Sequence, residues 1–219
     1  MPGGPRIGVL AFQGDVREHL RALREVGADP VEVRDLERLG QVDGLVIPGG
    51  ESTVIGKLAA RYGLLDPLRE RARAGLPVFG TCAGMILLAR EVEGPPQDLL
   101  GVLDVRVRRN AFGRQVASFE AEVDVKGLDG GPVAAAFIRA PWVADAGPEV
   151  EVLGEVDGRV VAVRQGDLLA TAFHTELTGE RRLHRWFVDL ARAARERGVH
   201  DRPPDPPAEA GADAGREPA

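Results

Sequence analysis

The 219-residue chain has one cysteine, Cys82. A lone thiol excludes an internal disulfide framework, and nothing in the sequence reproduces the Cys/His spacing of a zinc site. No apolar run is long enough to cross a membrane, and the opening MPGGPRIGVLAFQ lacks the basic segment and long apolar core of a signal peptide. The expectation is a cytoplasmic protein with no membrane attachment, and neither a metal nor a cofactor is called for. Basic excess is also missing. The formal net charge is −6, half of it contributed from Val199 onward, which argues against nucleic acid as a partner. Internal repeats are absent, as is the G-x-x-x-x-G-K-[ST] spacing of a phosphate-cradling loop. The length suits one well-packed α/β domain over residues 1–198. The tail 199–219, rich in proline, alanine and aspartate without apolar periodicity, reads as disordered.

The one cysteine stands at a change of pattern. Leu76, Val78 and Phe79 form a short apolar run that reads as a buried strand, while Met85 to Ala89, ending in Arg90 and Glu91, reads as a largely buried helix. Between them Gly80-Thr81-Cys82-Ala83-Gly84 is a G-x-C-x-G form of the nucleophile elbow, in which small neighbours let strand and helix approach while the nucleophile occupies a strained turn. The reading is an exposed thiol at a helix N-terminus, where backbone N–H groups favour a thiolate and can stabilise an oxyanion. A small buried hydrophobe is the ordinary alternative for such a residue.

Strands and helices alternate on either side. An apolar run from Arg6 to Phe12 leads through Gln13-Gly14 to Asp15, an N-cap, and a helix whose apolar stripe is Val16, Leu20, Leu23 and Val26. Short strands follow at Val31–Val33 and Val42–Ile47, the second ending in Pro48-Gly49-Gly50-Glu51-Ser52-Thr53, and helices at Val54–Tyr62 and Leu65–Ala74. This alternation predicts a doubly wound, largely parallel sheet, with Gly49-Gly50 and Cys82 on the edge where such sheets bind ligands. After Gly94-Pro95-Pro96, β-prone runs from Val102, Val116, Val133, Val150, Val160 and Leu168 are expected to extend the sheet and add antiparallel hairpins. Leu183, Phe187, Leu190 and Ala194 mark a closing helix.

The run Leu168–Phe173 stops at His174-Thr175-Glu176. In an extended segment residues i and i+2 share a side, so His174 and Glu176 can address one site, as a base and the acid that orients it. His19, His184 and His200 read as ordinary surface or core residues, and Arg108 and Arg114 as solvated. Arg109 and Arg139 offer planar guanidinium groups that match a carboxylate.

With these residues in place, the sequence resembles the class I (triad) glutamine amidotransferases, and within them the glutaminase subunits of pyridoxal 5′-phosphate synthase. The motifs are GVLAFQGDVREH (Gly8 to His19), PGGEST (Pro48 to Thr53), FGTCAG (Phe79 to Gly84), RNAFGRQ (Arg109 to Gln115), FIRAP (Phe137 to Pro141) and FHTEL (Phe173 to Leu177). The resemblance implies a flavodoxin-like three-layer fold with a central, mostly parallel sheet and added antiparallel strands. It implies hydrolysis of L-glutamine to glutamate and ammonia through a thioester on Cys82, with His174 as base and acid and Glu176 orienting it. Gly50, Glu51, Ser52, Arg109, Ile138 and Arg139 would bind glutamine, and Gly50 and Ala83 would form the oxyanion hole. The ammonia would pass inside a hetero-oligomer to a synthase subunit that builds pyridoxal 5′-phosphate from ribose 5-phosphate and glyceraldehyde 3-phosphate. The resemblance also classes the chain as both a hydrolase and a lyase. One departure is Thr175, where members usually have proline between the histidine and the glutamate. A glutaminase serving another synthase, a cysteine peptidase on a related elbow, and a regulatory subunit that keeps the fold are the competing readings.

Overall fold

A computed structural model describes residues 4–109 and 118–198. Residues 110–117, which include most of the RNAFGRQ motif and Arg114, lie outside the described residues, as do His200 and the tail 199–219. The first half of the chain runs β1 (Arg6–Leu10), α1 (Val16–Glu25), β2 (Asp29–Val33), α2 (Leu36–Gly40), β3 (Gly44–Ile47), α3 (Ser52–Arg61), α4 (Leu65–Arg73), β4 (Val78–Thr81) and α5 (Ala83–Leu88). The second half runs β5 (Ala89–Glu93), β6 (Leu103–Arg108), β7 (Ser118–Val123), β8 (Val133–Ile138), β9 (Trp142–Ala146), β10 (Glu151–Val156), β11 (Arg159–Gln165) and β12 (Leu168–Thr171), and α6 (Arg182–Glu196) closes it.

Ten strands form one sheet in the order β2-β1-β3-β4-β12-β11-β9-β6-β5, with β10 paired to β11 off this path. The five strands from β2 to β12 are parallel, and β3 and β4 are buried at every position, as strands covered on both faces must be. From β12 onward the pairing turns antiparallel through β11, β9 and β6, as the β-prone second half leads one to expect. Two expectations need correcting. The helix after Cys82 stops at Leu88, not at Ala89, and the chain passes directly into β5, which pairs in parallel with β6. Of the runs from Val116 and Val133, the described residues form one of the expected antiparallel hairpins but do not extend the main sheet: β7 and β8 pair in a separate ribbon with Phe119 stacked on Phe137.

Side-chain alternation along β3 separates the two helical layers. Gly44 faces Phe187 and Ala191 of α6, 3.1 Å from where its Cβ would lie. Ile47, three residues on and therefore on the other face, meets Gly84 of α5. The α6 face also carries α1, whose buried His19, Leu20 and Leu23 oppose exposed Arg17, Arg21 and Arg24, while α3 packs on α4 and α5. The result is the α/β three-layer fold. Register then sets the site: Ile47 of β3 lies opposite Gly80 of β4, and Thr81 opposite Thr171 of β12. The segments leaving β1, β3, β4 and β12 thus emerge at one edge.

Candidate active site

At that edge a cavity of about 290 Å³ is lined by Gln13, Asp15, Gly50, Glu51 and Ser52 from the segments after β1 and β3, and by Cys82, Ala83, Ile86, Arg109, Ile138, Arg139 and His174. Cys82 is the hinge between β4 and α5. Its backbone has φ 49° and ψ −99°, well outside the helical and extended regions open to ordinary residues. Two glycines allow the turn. A Cβ on Gly80 would lie 2.6 Å from the backbone of Gly84, and one on Gly84 would overlap the Ile47 carbonyl oxygen. The expectation of an exposed thiol is not met. Cys82 is 7% exposed, and its Sγ lies 3.9 Å from the Ile138 carbonyl oxygen at the end of β8, which roofs it. Cys82 itself borders the cavity.

His174 is fixed by backbone and side chain together. Its N–H donates to the Ala136 carbonyl (2.9 Å) and its own carbonyl accepts from the Ala136 N–H (3.1 Å), so the β7–β8 ribbon holds the loop after β12. The ring lies against Gly49, where a Cβ would overlap Cε1. Nδ1 is 2.7 Å from Glu176 Oε1 and 3.3 Å from Asp15 Oδ2. This leaves Nε2 as the ring nitrogen for Cys82. Burial pushes the imidazole towards its neutral form, but hydrogen bonds to Asp15, Cys82 and Glu176, with the Glu176 charge, push its pKa up to about 12. Glu176 is itself 5% exposed; burial opposes its ionisation, and His19 and His174 nonetheless hold it well below the usual carboxylate range. Asp15, His174 and Glu176 present ligand atoms within 4.8 Å of one another, a set that suits a cation in outline, but His174 Nδ1 is already committed to the carboxylates.

Glu51, at the N-cap of α3, receives a hydrogen bond from Arg109 (2.8 Å), and Gln97 Oε1 accepts from both Arg109 (3.2 Å) and Ser52 (3.1 Å). Gln13 Oε1 accepts from the Glu51 N–H at 2.8 Å, which ties the loop after β1 to the loop after β3. Arg139 has φ 45° and makes no hydrogen bond or ion pair among the described residues. Every residue singled out in the sequence therefore borders the cavity except Glu176, which sits behind His174.

Four neighbours, Asp15, Gln13, Gln97 and His19, escaped the sequence reading. Asp15 occupies the N-cap of α1 but makes no capping hydrogen bond with its side chain, which turns to His174 instead. Gln13 and Gln97 carried no signal beyond polarity. His19, read as an ordinary residue, is fully buried, with Nε2 3.2 Å from Glu176 Oε1. Thr175, between His174 and Glu176, is buried with a hydroxyl that finds no partner among the described residues.

Residues 9–192 match the SNO glutamine amidotransferase family. The chain is 65% identical over 193 residues to the pyridoxal 5′-phosphate synthase subunit PdxT of Frankia alni, covering 87% of this chain and 97% of that one. It is 60% identical over 211 residues to the subunit of the same name in Nocardia farcinica, covering 93% of each. A crystal structure of a glutamine amidotransferase superposes with a TM-score of 0.81 at 53% identity, over 84% of this chain and 98% of that one. The structure of PurLQS from Thermotoga maritima, at 17% identity and a TM-score of 0.61, shares the fold, over 90% of this chain and 99% of that one. These matches overturn the lyase classification. They are to an amidotransferase family and to one subunit of a synthase, and glutamine hydrolysis is hydrolase chemistry. The matched stretch spans β1 to α6 and all the cavity residues, and the chain belongs to the SNO glutamine amidotransferase family.

Proposed function

We propose that this chain is the glutaminase subunit of a pyridoxal 5′-phosphate synthase. It hydrolyses L-glutamine to L-glutamate and ammonia and hands the ammonia to a separate synthase subunit in a hetero-oligomer. The observation that carries this reading is the convergence of Cys82, His174 and Glu176 on one small cavity, in a chain 65% identical to a pyridoxal 5′-phosphate synthase subunit. A nucleophilic free thiol suits a reducing compartment, which supports work in the cytoplasm. Residues 1–198 form the working unit.

The chemistry follows from the assigned roles. Glutamine enters with its side-chain amide towards Cys82 and its α-carboxylate towards Arg139, whose guanidinium is not occupied by any described neighbour. Glu51, Ser52, Arg109 and Ile138 shape the rest of the subsite, with Arg109 ordered by Glu51 and Gln97. The carboxylates at Nδ1 hold a proton on His174, so the imidazolium keeps the proton that Sγ gives up and the sulfur attacks the amide carbon as a thiolate. Backbone N–H groups of Gly50 and Ala83 receive the oxyanion; the N–H of Cys82 is already given to the Thr171 carbonyl at 2.7 Å. His174 then protonates the amide nitrogen, the C–N bond breaks, ammonia leaves and a glutamyl thioester remains on Sγ. Water attacks the thioester carbonyl while His174 accepts its proton, and glutamate departs to leave the sulfur as a thiolate beside the imidazolium.

The cavity volume, with Arg139 as its one unengaged guanidinium among the described residues, suits one amino acid and disfavours a polypeptide substrate. Acid-quenching the assembled complex during turnover and analysing its peptides by mass spectrometry tests the reading. A glutamyl adduct on the Cys82 peptide is expected. Turnover without any such adduct would contradict the covalent mechanism.

A further inference from the structure

Below the cavity lies a buried polar run that the chemistry above leaves unused. It begins at Glu176 and continues through His19 of α1 to His184 of α6, and both histidines are 0% exposed. His19 Nε2 is 3.2 Å from Glu176 Oε1, the same oxygen that meets His174, and 3.1 Å from the hydroxyl of Thr81, the residue before Cys82. His19 Nδ1 is 3.0 Å from His184 Nε2. The imidazole therefore touches the strand that carries the nucleophile, the acid of the triad and a helix on the far side of both.

We propose that His19 is a positioning residue for glutamine hydrolysis, its Nε2–H holding the Glu176 carboxylate against Nδ1 of His174. The proposal rests on the triad assignment made above. A carboxyl group turns easily about its last torsion, and one donor alone fixes it poorly. Among the described residues Glu176 has two partners, His174 and His19, and its Oε2 has none. His19 is thus the only described contact that defines the carboxylate from behind. It is itself held from its other nitrogen by His184, whose Nδ1 ends the run without a partner. A histidine that merely filled the core would need hydrogen bonds of some kind; it would not need one to the oxygen that orients the catalytic imidazole.

The two ring nitrogens permit a test within one side chain. Glutamine at position 19 can place its amide nitrogen near Nε2 and keep a donor for Glu176, whereas asparagine can place its nitrogen near Nδ1, keeping the side facing His184 and losing Glu176. In the complex with the cognate synthase subunit, His19→Asn is expected to lower kcat for glutamate release by about 10- to 100-fold, the span set by one hydrogen bond to a charged group. KM should change little, and His19→Gln should recover most of the loss at a similar melting temperature. Equal kcat in the two variants, or a lower kcat in His19→Gln than in His19→Asn, would overturn the proposal. Wild-type and Cys82→Ala turnover in the same assay judge the glutaminase reading separately. Nitrogen-15 spectra of the folded wild type give an answer that needs no variant of His19 to fold. Nε2 of His19 should carry a proton shielded from exchange, and a bare Nε2 would overturn the proposal.

Discussion

Gly49 makes no hydrogen bond with a side chain of its own, yet the imidazole of His174 lies where its Cβ would be. The PGGEST motif is thus a steric condition on the base as well as a turn. Alanine at 49 must push the ring off Cys82 or displace the backbone after β3. A displacement of this order near a reacting pair costs about 100-fold in rate. Gly49→Ala is therefore expected to lose about that much kcat in an assembled complex, and steady-state glutamate release measures it.

A second residue-scale consequence concerns pH. Burial and the neighbouring His19 pull the pKa of His184 from 6.5 down to about 3, against the opposing charge of Glu176. Below pH 6.5 the unfolded chain takes up a proton there that the folded chain refuses, so stability falls as pH falls. The slope for one proton is about 1.4 kcal/mol per pH unit. His174, with its pKa raised to about 12, is protonated in both states only about a unit or more below 6.5 and adds no slope there; nearer 6.5 the unfolded chain releases its proton, the slope opposes that of His184, and the stabilisation is lost as pH rises from 6.5 to 12. Denaturant unfolding of wild type and His184→Gln between about pH 4.5 and 5.5 isolates the histidine, since the carboxylates that titrate there contribute to both: the wild type should be steeper by about 1.4 kcal/mol per pH unit.

At the scale of elements, the elbow depends on the contact between α5 and β3. Gly84→Ala places a Cβ on the Ile47 carbonyl oxygen, a backbone atom that cannot turn aside. Overpacking of this kind costs about 1–3 kcal/mol, to be read as a lower denaturation midpoint. That elbow was legible in the sequence because glycine spacing and a change of apolar period mark it directly. So was the parallel half of the sheet, from alternating strand and helix patterns with short punctuated loops. The short elements were not. α2 has five residues, and its cap, Asp35 accepting from the Arg38 N–H, is a signal easily lost in a polar stretch. β5 begins where the buried run of α5 ends, and its Ala-Arg-Glu-Val-Glu carries no clean alternation. Pattern alone also did not separate the β7–β8 ribbon from the main sheet, since pairing partners are a long-range property. Nor could helical spacing show what lies opposite His19: it puts the ring on the buried face of α1, while Glu176 arrives there from 157 positions further along the chain.

The whole molecule brings four strand ends and one ribbon to a single cavity. β1 supplies the loop of Gln13 and Asp15, β3 that of Gly49 to Ser52, β4 leads to Cys82 and β12 to His174. The β7–β8 ribbon contributes Ile138 and Arg139 and pins His174 through Ala136. These loops border one cavity, so under the proposed function a protein docking on them reaches several of its walls at once. That is the physical basis for expecting a glutaminase that works with its synthase partner. The deciding measurement is glutamate release from L-glutamine by the full chain, alone and with the cognate synthase partner, alongside Cys82→Ala. Turnover that rises when the partner is added and vanishes in Cys82→Ala is expected. No turnover in a demonstrated complex, or turnover that survives the loss of Cys82, would contradict the account.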